Sequence, residues 1–131
     1  MILVDTSVLI DFFSNRPTLS TQKFEDIILK DIPFGITSFI IQELLQGTKT
    51  VSEFNKLKLY LENQKIFLPL GELESFINAA KIYFDLRKKG LTVRSSTDCL
   101  IAQISIEHDL YLLHNDKDFL TIAKVAPLKF Y

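Results

Sequence analysis

The chain has 131 residues, and its 15 basic and 16 acidic side chains give a formal net charge of −1. A chain of this length predicts one domain, spanning residues 1–131, with a core large enough to be stable without disulfides. Near-neutrality excludes attraction of polyanions by bulk charge, so contact with a nucleic acid would need a local basic patch or bound metal ions.

Cysteine content and hydropathy limit the kinds of site that the protein can contain and the cellular compartment in which we expect it. The single cysteine, Cys99, excludes an intramolecular disulfide and a cysteine-based zinc cluster. The apolar start at residues 1–4 is too short for a signal peptide, and no apolar run approaches the roughly 18 residues of a membrane span. We therefore expect a cytoplasmic protein that does not associate with membranes.

Short apolar runs alternate with helical patterns along the whole chain. The predicted elements are a strand at 2–4, helices at 8–13 and up to 29, a strand at 34–36, helices up to 47 and at 52–62, a strand at 66–68, helices at 72–89 and up to 108, a strand at 110–113, a helix at 116–123 and a last strand at 128–131. The longest helix carries apolar residues at helical spacing, namely Leu73, Phe76, Ile77, Ala80 and Phe84.

Hydroxyl side chains mark the starts of three helices, because Ser and Thr accept hydrogen bonds from the free N–H groups of a first turn. The predicted caps are Ser20 or Thr21, Thr37 or Ser38, and Ser96 or Thr97. Strands that alternate with helices predict an α/β fold with a mainly parallel central sheet of four to five strands. Functional sites in such sheets lie beyond the carboxyl ends of the strands.

Four carboxylates lie at positions that could converge on such a site. Asp5 follows the first strand and Asp116 follows the fourth, where each could also simply cap the next helix. Glu43 borders the apolar face of the third helix. Asp98 lies in a first turn, where an acid also favours the helix dipole.

Together these acids predict a metal site rather than four unrelated side chains. Carboxylates brought close together repel and raise one another's pKa, so they remain ionised only beside a cation. Mg²⁺ and Mn²⁺ are hard cations that take oxygen ligands and suit such a group. Hydrolysis of a phosphodiester is the chemistry that such ions support.

The ordered motifs of the chain resemble the PIN-domain nucleases, and specifically the VapC-type toxins of bacterial and archaeal toxin–antitoxin pairs. The resemblance spans nearly the whole chain. It rests on ILVDTSVLI at residues 2–10, on Thr37-Ser38 with Glu43-Leu44, on TDCLIA at residues 97–102, and on LLHNDKDF at residues 112–119 with Ile122-Ala123.

This resemblance implies a three-layer α/β/α PIN-like fold and a Mg²⁺- or Mn²⁺-dependent endoribonuclease. By position, the acidic quartet of the family corresponds to Asp5, Glu43, Asp98 and Asp116, with Asp118 as a further candidate for the metal shell. Thr6, Ser7 and Asn115 match supporting positions. Such toxins are usually homodimers that are silenced by an antitoxin, whose C-terminal segment wraps the toxin and can push a basic side chain into the acidic site.

Basic residues near the acids are candidates for contact with RNA phosphates. Arg87 and Arg94 flank the turn before the helix that carries Asp98, and Lys117 follows Asp116. Each could instead be an ordinary surface charge, or in the case of Arg87 a cation favoured by the helix C-terminus. His114 could assist proton transfer or be structural.

Rival functions fit the sequence less well. A haloacid-dehalogenase-like phosphatase requires a second Asp two residues after the first, where this chain has Ser7. A receiver-type phospho-acceptor requires an acidic pair after the first strand, where Asp5 stands alone. The remaining alternative is a non-catalytic PIN-like protein-interaction domain, which loss of a quartet member would favour.

Overall fold

The structure, a computed structural model, describes residues 1–131 and contains every predicted strand and helix, with ends displaced by a few residues. The strands are β1 (Ile2–Val4), β2 (Phe34–Thr37), β3 (Lys65–Phe67), β4 (Tyr111–Leu113) and β5 (Lys129–Phe130). The helices are α1 (Thr6–Phe13), α2 (Leu19–Leu29), α3 (Ser38–Gln46), α4 (Val51–Glu62), α5 (Glu74–Lys88), α6 (Ser96–Glu107) and α7 (Lys117–Ile122). None of these helices has both the length and the apolarity that crossing a membrane requires.

The five strands form one parallel sheet in the order β3-β2-β1-β4-β5. β1 is the central strand, and its residues Ile2, Leu3 and Val4 are at most 3% exposed. A parallel strand covered on both faces has no polar side, which is why this segment is a continuous apolar run rather than an alternating one.

The chain adds its strands to the sheet in two directions, starting from β1. It first builds outward on one side to β2 and β3, and then returns past β1 to β4 and β5 on the other. Right-handed crossovers therefore place α1 to α4 on one face and α5 to α7 on the opposite face. The packing agrees with this assignment, since α1 contacts α2 and α3, and α6 contacts α5 and α7. The predicted α/β architecture is confirmed.

The predicted cap of α2 is wrong, because the helix begins further upstream. Thr18 is the N-cap, and its hydroxyl accepts the N–H of Thr21 at 3.1 Å while the Thr21 hydroxyl accepts the N–H of Thr18 at 2.8 Å. This reciprocal capping box satisfies two backbone donors at once. Ser20 instead donates its hydroxyl to the carbonyl of His114.

The starts of α3 and α6 also differ from the expected pattern. Ser95, one residue before the predicted pair Ser96 and Thr97, caps α6 by accepting the N–H of Thr97 at 3.2 Å. Thr37 stands at the N-cap of α3 as predicted, but its side chain makes no capping hydrogen bond and its hydroxyl is buried without a partner.

The apolar spacing of α5 predicted the helix correctly, but these residues do not form its buried face. Ser75, Ala79, Ile82 and Leu86 face inward instead. We name the exposed apolar residues the α5 stripe. Its four large side chains are between 47% and 70% exposed, and its members are Leu73, Phe76, Ile77, Ala80 and Phe84.

Gly35 lies where β2 and β3 approach most closely. A Cβ at this position would meet Cε2 of Phe67 at 2.5 Å and the carbonyl oxygen of Lys65 at 2.7 Å. The second contact is with backbone and cannot be relieved by a side-chain rotation, so we expect Gly35→Ala to lower the free energy of unfolding by about 1–3 kcal/mol. Urea unfolding of the two proteins measures this difference.

The matched control is Gly47→Ala, because the nearest atom to a Cβ at Gly47 is 3.5 Å away and its backbone is right-handed. Equal destabilisation by the two substitutions would contradict the predicted clash.

Candidate active site

Asp5 joins the central strand to the first helix. Its backbone N–H donates to the carbonyl of Leu113 at 3.0 Å, which holds it against the end of β4. Its carboxylate accepts the N–H of Ser7 at 3.0 Å and the Ser7 hydroxyl at 2.6 Å, and so caps α1. Burial raises the pKa of Asp5, and these hydrogen bonds offset the effect only in part. Asp5 is therefore a helix cap and a buried acid at once.

Glu43 reaches the same region from α3. Ile40 and Leu44 anchor this helix in the core, which leaves Glu43 half-buried at its border. The hydroxyl of Thr6 donates to its carboxylate at 2.7 Å. Repulsion from Glu43 also helps to raise the pKa of the Asp5 carboxyl, so the two acids are electrostatic neighbours.

Asp98 is the least compensated acid of the group. It lies half-buried in the first turn of α6, and no Lys or Arg forms an ion pair with it. Burial, and then repulsion from Asp5, Asp116, Asp118 and Glu43, raise its pKa to about 7. Asp98 is therefore close to the other three members of the predicted quartet and to Asp118, the further candidate.

Asp116 and Asp118 are held by one guanidinium group. Asp116 follows β4 and caps α7, accepting the N–H of Asp118 at 3.0 Å. Arg94 donates through Nη2 to Asp116 at 2.9 Å, and through Nε and its backbone N–H to Asp118, each at 3.1 Å. Burial of Asp118 favours its neutral form, but the bonds from Arg94 outweigh burial and lower its pKa.

The acids therefore form one cluster at the carboxyl ends of β1, β2 and β4. Within it, Asp98, Asp116 and Asp118 each offer an oxygen within 4.8 Å of the other two. Arg94 is the one cation that pairs with any of them, and it leaves Asp98 unpaired. Such a donor set fits a hard divalent cation, because its unshared oxygens need positive charge to remain ionised together.

A second network fixes the loop that carries Asp116. The hydroxyl of Ser7, already bonded to Asp5, accepts the N–H of Asn115 at 2.9 Å. The side-chain amide of Asn115 donates to Asp11 at 2.7 Å. Sequence analysis missed Asp11, although it lies four residues after Ser7 and so shares a face of α1 with it.

Among the other candidate residues, His114 has surroundings that indicate a structural role. Its ring packs between Phe119 and Phe130, with centroid distances of 5.2 and 4.8 Å. Its Nδ1 accepts the N–H of Asp116 at 3.1 Å, and burial lowers its pKa. The imidazole therefore supports the loop of Asp116 as a neutral hydrogen-bond acceptor.

The three basic candidates lie in different surroundings. Arg94 is committed to the acids, although its side chain is 72% exposed. Lys117 is exposed at the start of α7, on an open surface shared with Arg94 and Asn115. Arg87 lies on the outer side of α5 beside Tyr83 and Phe84, and forms no ion pair with the acids.

Comparison with known proteins identifies a single family over nearly the whole chain, and it is the family that the sequence motifs resemble. Residues 2–125 match the PIN domain family. The chain belongs to the PIN-domain family, in its VapC ribonuclease branch. It is 31% identical over 130 residues to VapC ribonuclease Mb1587 of Mycobacterium bovis and, over the same length, to ribonuclease VapC11 of Mycobacterium tuberculosis. In both comparisons 98% of this chain and 96% of the relative are covered.

Solved structures support the fold of this PIN-domain chain. It resembles a chain of VapBC2 from Rickettsia felis, bound to a DNA fragment from the promoter, with a TM-score of 0.74, 20% identity and coverage of 100% and 98% of the two chains. It resembles a chain of DNA-bound VapBC from Salmonella typhimurium with a TM-score of 0.76, 18% identity and coverage of 99% and 96%. The predictions of family and of fold class are confirmed.

The raised pKa of Asp98 predicts a pH-dependent difference in stability between the metal-free protein and Asp98→Asn. An acid whose pKa is raised on folding holds its proton longer in the folded state, so its ionisation destabilises the fold as the pH rises from about 4 towards about 7. Asn cannot ionise. We therefore expect Asp98→Asn to gain stability relative to the wild type between pH 5 and pH 8.

Urea unfolding in EDTA across that range provides the measurement. The lowered pKa of His114 acts in the opposite direction but equally in both proteins, so it cancels in the difference. A difference that does not change with pH would show that Asp98 titrates normally.

Proposed function

We propose that this chain is a Mg²⁺- or Mn²⁺-dependent endoribonuclease and the toxin of a toxin–antitoxin pair, acting on RNA in the cytoplasm as one nuclease domain. The observation that carries the proposal is the cluster of five carboxylates, compensated by the single side chain of Arg94, at the edge where an α/β sheet forms its sites. The curated relatives are named as ribonucleases, which supports RNA as the substrate.

Asp98, Asp116 and Asp118 would hold the cation most directly, with Asp5 and Glu43 completing the negative site. When bound, the ion would supply positive charge for the scissile phosphate and would lower the pKa of a water molecule. Thr6 and Ser7 fix the orientation of Glu43 and Asp5 through their hydroxyls. Asn115 holds the loop of Asp116 against α1.

Arg94 has two roles in this proposal. It is the counterion that keeps Asp116 and Asp118 in place. Because much of its side chain is exposed, it could also meet a phosphate of the substrate beside the acids. Lys117 is in a position to do the same from α7, whereas Arg87 would contact only an RNA segment that extends across α5.

The alternative, a non-catalytic interaction domain, does not explain the uncompensated charge. A domain that had lost catalysis would gain stability by replacing Asp98 with a neutral residue, because burial and repulsion both oppose its ionised form. The presence of an acid whose ionised form is opposed by burial and by four other acids favours a functional site.

Replacement of Asp98 by Asn should abolish cleavage without damaging the fold. Asp98 makes no ion pair and caps no helix, so its removal should leave the architecture intact while depriving the cation of a ligand. We expect RNA cleavage in Mg²⁺ to fall by at least about 100-fold. Single-turnover cleavage of labelled RNA, with Mg²⁺, Mn²⁺ or EDTA, measures this.

Asp26→Asn is the matched control, because it removes a surface carboxylate that only pairs with Lys30 at 3.7 Å. It should cut at the wild-type rate. Cleavage that persists in EDTA, or that is equal in Asp98→Asn and the wild type, would refute the metal-nuclease proposal.

Two exposed surfaces that carry apolar side chains are the proposed sites for two partners, a second copy of the chain and an antitoxin. The α5 stripe would pack against a second copy of the chain to form a homodimer. An open groove of about 770 Å³ lies between α1, α3 and α4, and its lining includes the apolar residues Ile10, Phe13, Leu57 and Tyr60 together with Glu43 and other polar residues. We name it the α1–α4 groove. It would take an apolar antitoxin segment that brings a basic side chain towards Glu43. Structural neighbours of this fold are VapBC complexes, which is consistent with such a partner.

These assignments predict opposite effects for two substitutions. Ile77→Asp places a charge in the α5 stripe and should yield a monomer that still co-purifies with antitoxin from its own cells. Phe13→Asp charges the α1–α4 groove and should yield a dimer that loses the antitoxin. Analytical ultracentrifugation and pull-down distinguish the outcomes, and each variant is the control for the other. Loss of both properties in either variant would contradict the division.

A further inference from the structure

A second open groove, of about 540 Å³, lies on the opposite side of the sheet from the α1–α4 groove. It runs between the end of α5 and the segment that follows α7. Lys88 and Lys89 line it from α5, and Lys124 lines it from the other side. We name it the lysine groove.

The charges of these three lysines are not neutralised within the chain. Asp85 is the one acid in the lining, and it already pairs with Lys81. Lys88 lies over the ring of Phe84, 5.4 Å from its centroid, and the ammonium of Lys89 donates to the carbonyl of Lys124 at 3.5 Å. None of the three forms an ion pair, so the groove is a local positive surface on a chain of net charge −1.

The lysine groove adjoins the acidic cluster through α7. Asp116 and Asp118 stand at the start of this helix, and Lys124 follows its end. A helix of six residues spans roughly 9 Å. On the other side, Lys89 is five residues from Arg94, which bonds to both acids. The lysines and the acids are therefore a few nucleotides apart along an extended strand.

We propose that the lysine groove binds the backbone phosphates of single-stranded RNA next to the cleavage site. The inference deepens the proposed ribonuclease function and rests on it. A cluster of five acids repels an approaching polyanion, and a chain of net charge −1 does not attract one in bulk, so a nearby cationic surface would help bound metal to hold the strand. The lining has no aromatic side chain on which a base could stack, which favours phosphate contact without base selection.

The test compares a triple variant of the groove with a matched triple variant elsewhere. Lys88, Lys89 and Lys124 are changed to Gln in one protein, and Lys30, Lys58 and Lys65 in the other, so both lose three positive charges. Binding of a fluorescent single-stranded RNA of 12 nucleotides is measured by anisotropy in EDTA, between 50 and 200 mM KCl. A poly-glutamate peptide is the second probe.

Each phosphate contact with a single strand contributes about 0.7 to the slope of log K against log salt. We expect the groove variant to lose about 2 from this slope and to bind RNA at least about tenfold more weakly at 50 mM KCl. The control variant should retain most of the slope. Equal slopes in the two variants would overturn the proposal, and so would a groove variant that loses only the peptide.

RNA cleavage in Mg²⁺ is measured in parallel, so that failure of the nuclease function can be distinguished from failure of the lysine groove. A wild-type protein that does not cut RNA but binds it through the lysine groove would refute the nuclease function and leave the binding site standing. A protein that cuts RNA equally well in all three forms at every salt concentration, with equal slopes of binding, would refute the groove alone.

Discussion

Mutual repulsion among clustered, partly buried carboxylates is the constraint around which the functional part of this molecule is arranged. Asp98 experiences burial and the charges of four other acids, and these raise its pKa to about 7. Repulsion of this kind costs stability in the metal-free chain, because no protein cation reaches Asp98. Hydrogen bonds stabilise the neighbouring carboxylates and so offset part of this cost. Ser7 donates to Asp5, and Arg94 donates to Asp116 and Asp118.

Sheet topology is what brings these acids together from distant parts of the sequence. β1 lies between β2 and β4, so residues that follow these three strands meet although they are separated by dozens of positions. The hydrogen bond from Asp5 to Leu113 extends the β1–β4 ladder to the site itself. Thr6 and Asn115 then cross-link α1 to α3 and to the loop after β4. The site is therefore tied to the sheet by hydrogen bonds, and its surface is open beside the start of α7.

The fold could be predicted well from the sequence because the signals for its strands and helices are local. Buried parallel strands need continuous apolar runs, and the helices between them have recognisable starts and stops. The sequence also placed the acids near one another, through the rule that parallel sheets form sites at their carboxyl ends. It could not show that Arg94 is committed to Asp116 and Asp118, or that Asp11 holds Asn115, because side-chain pairing depends on orientations that spacing does not fix. The α5 stripe illustrates the same limit, since periodicity predicts a helix without showing which apolar side faces the core.

Charge is distributed over this chain in a way that net charge conceals. Five acids form a cluster at one edge of the sheet, and the three unpaired lysines of the lysine groove lie at the far end of α7, about two helical turns away. A uniformly neutral surface would neither hold a divalent cation nor retain a polyanionic strand. Separation would achieve both, because a bound cation would screen the acids where the phosphate must approach, while lysines further along would bind the same backbone without competing for the metal. Arg94 lies five residues after Lys89 but bonds only to Asp116 and Asp118, so its charge belongs to the acidic cluster and not to the lysine groove.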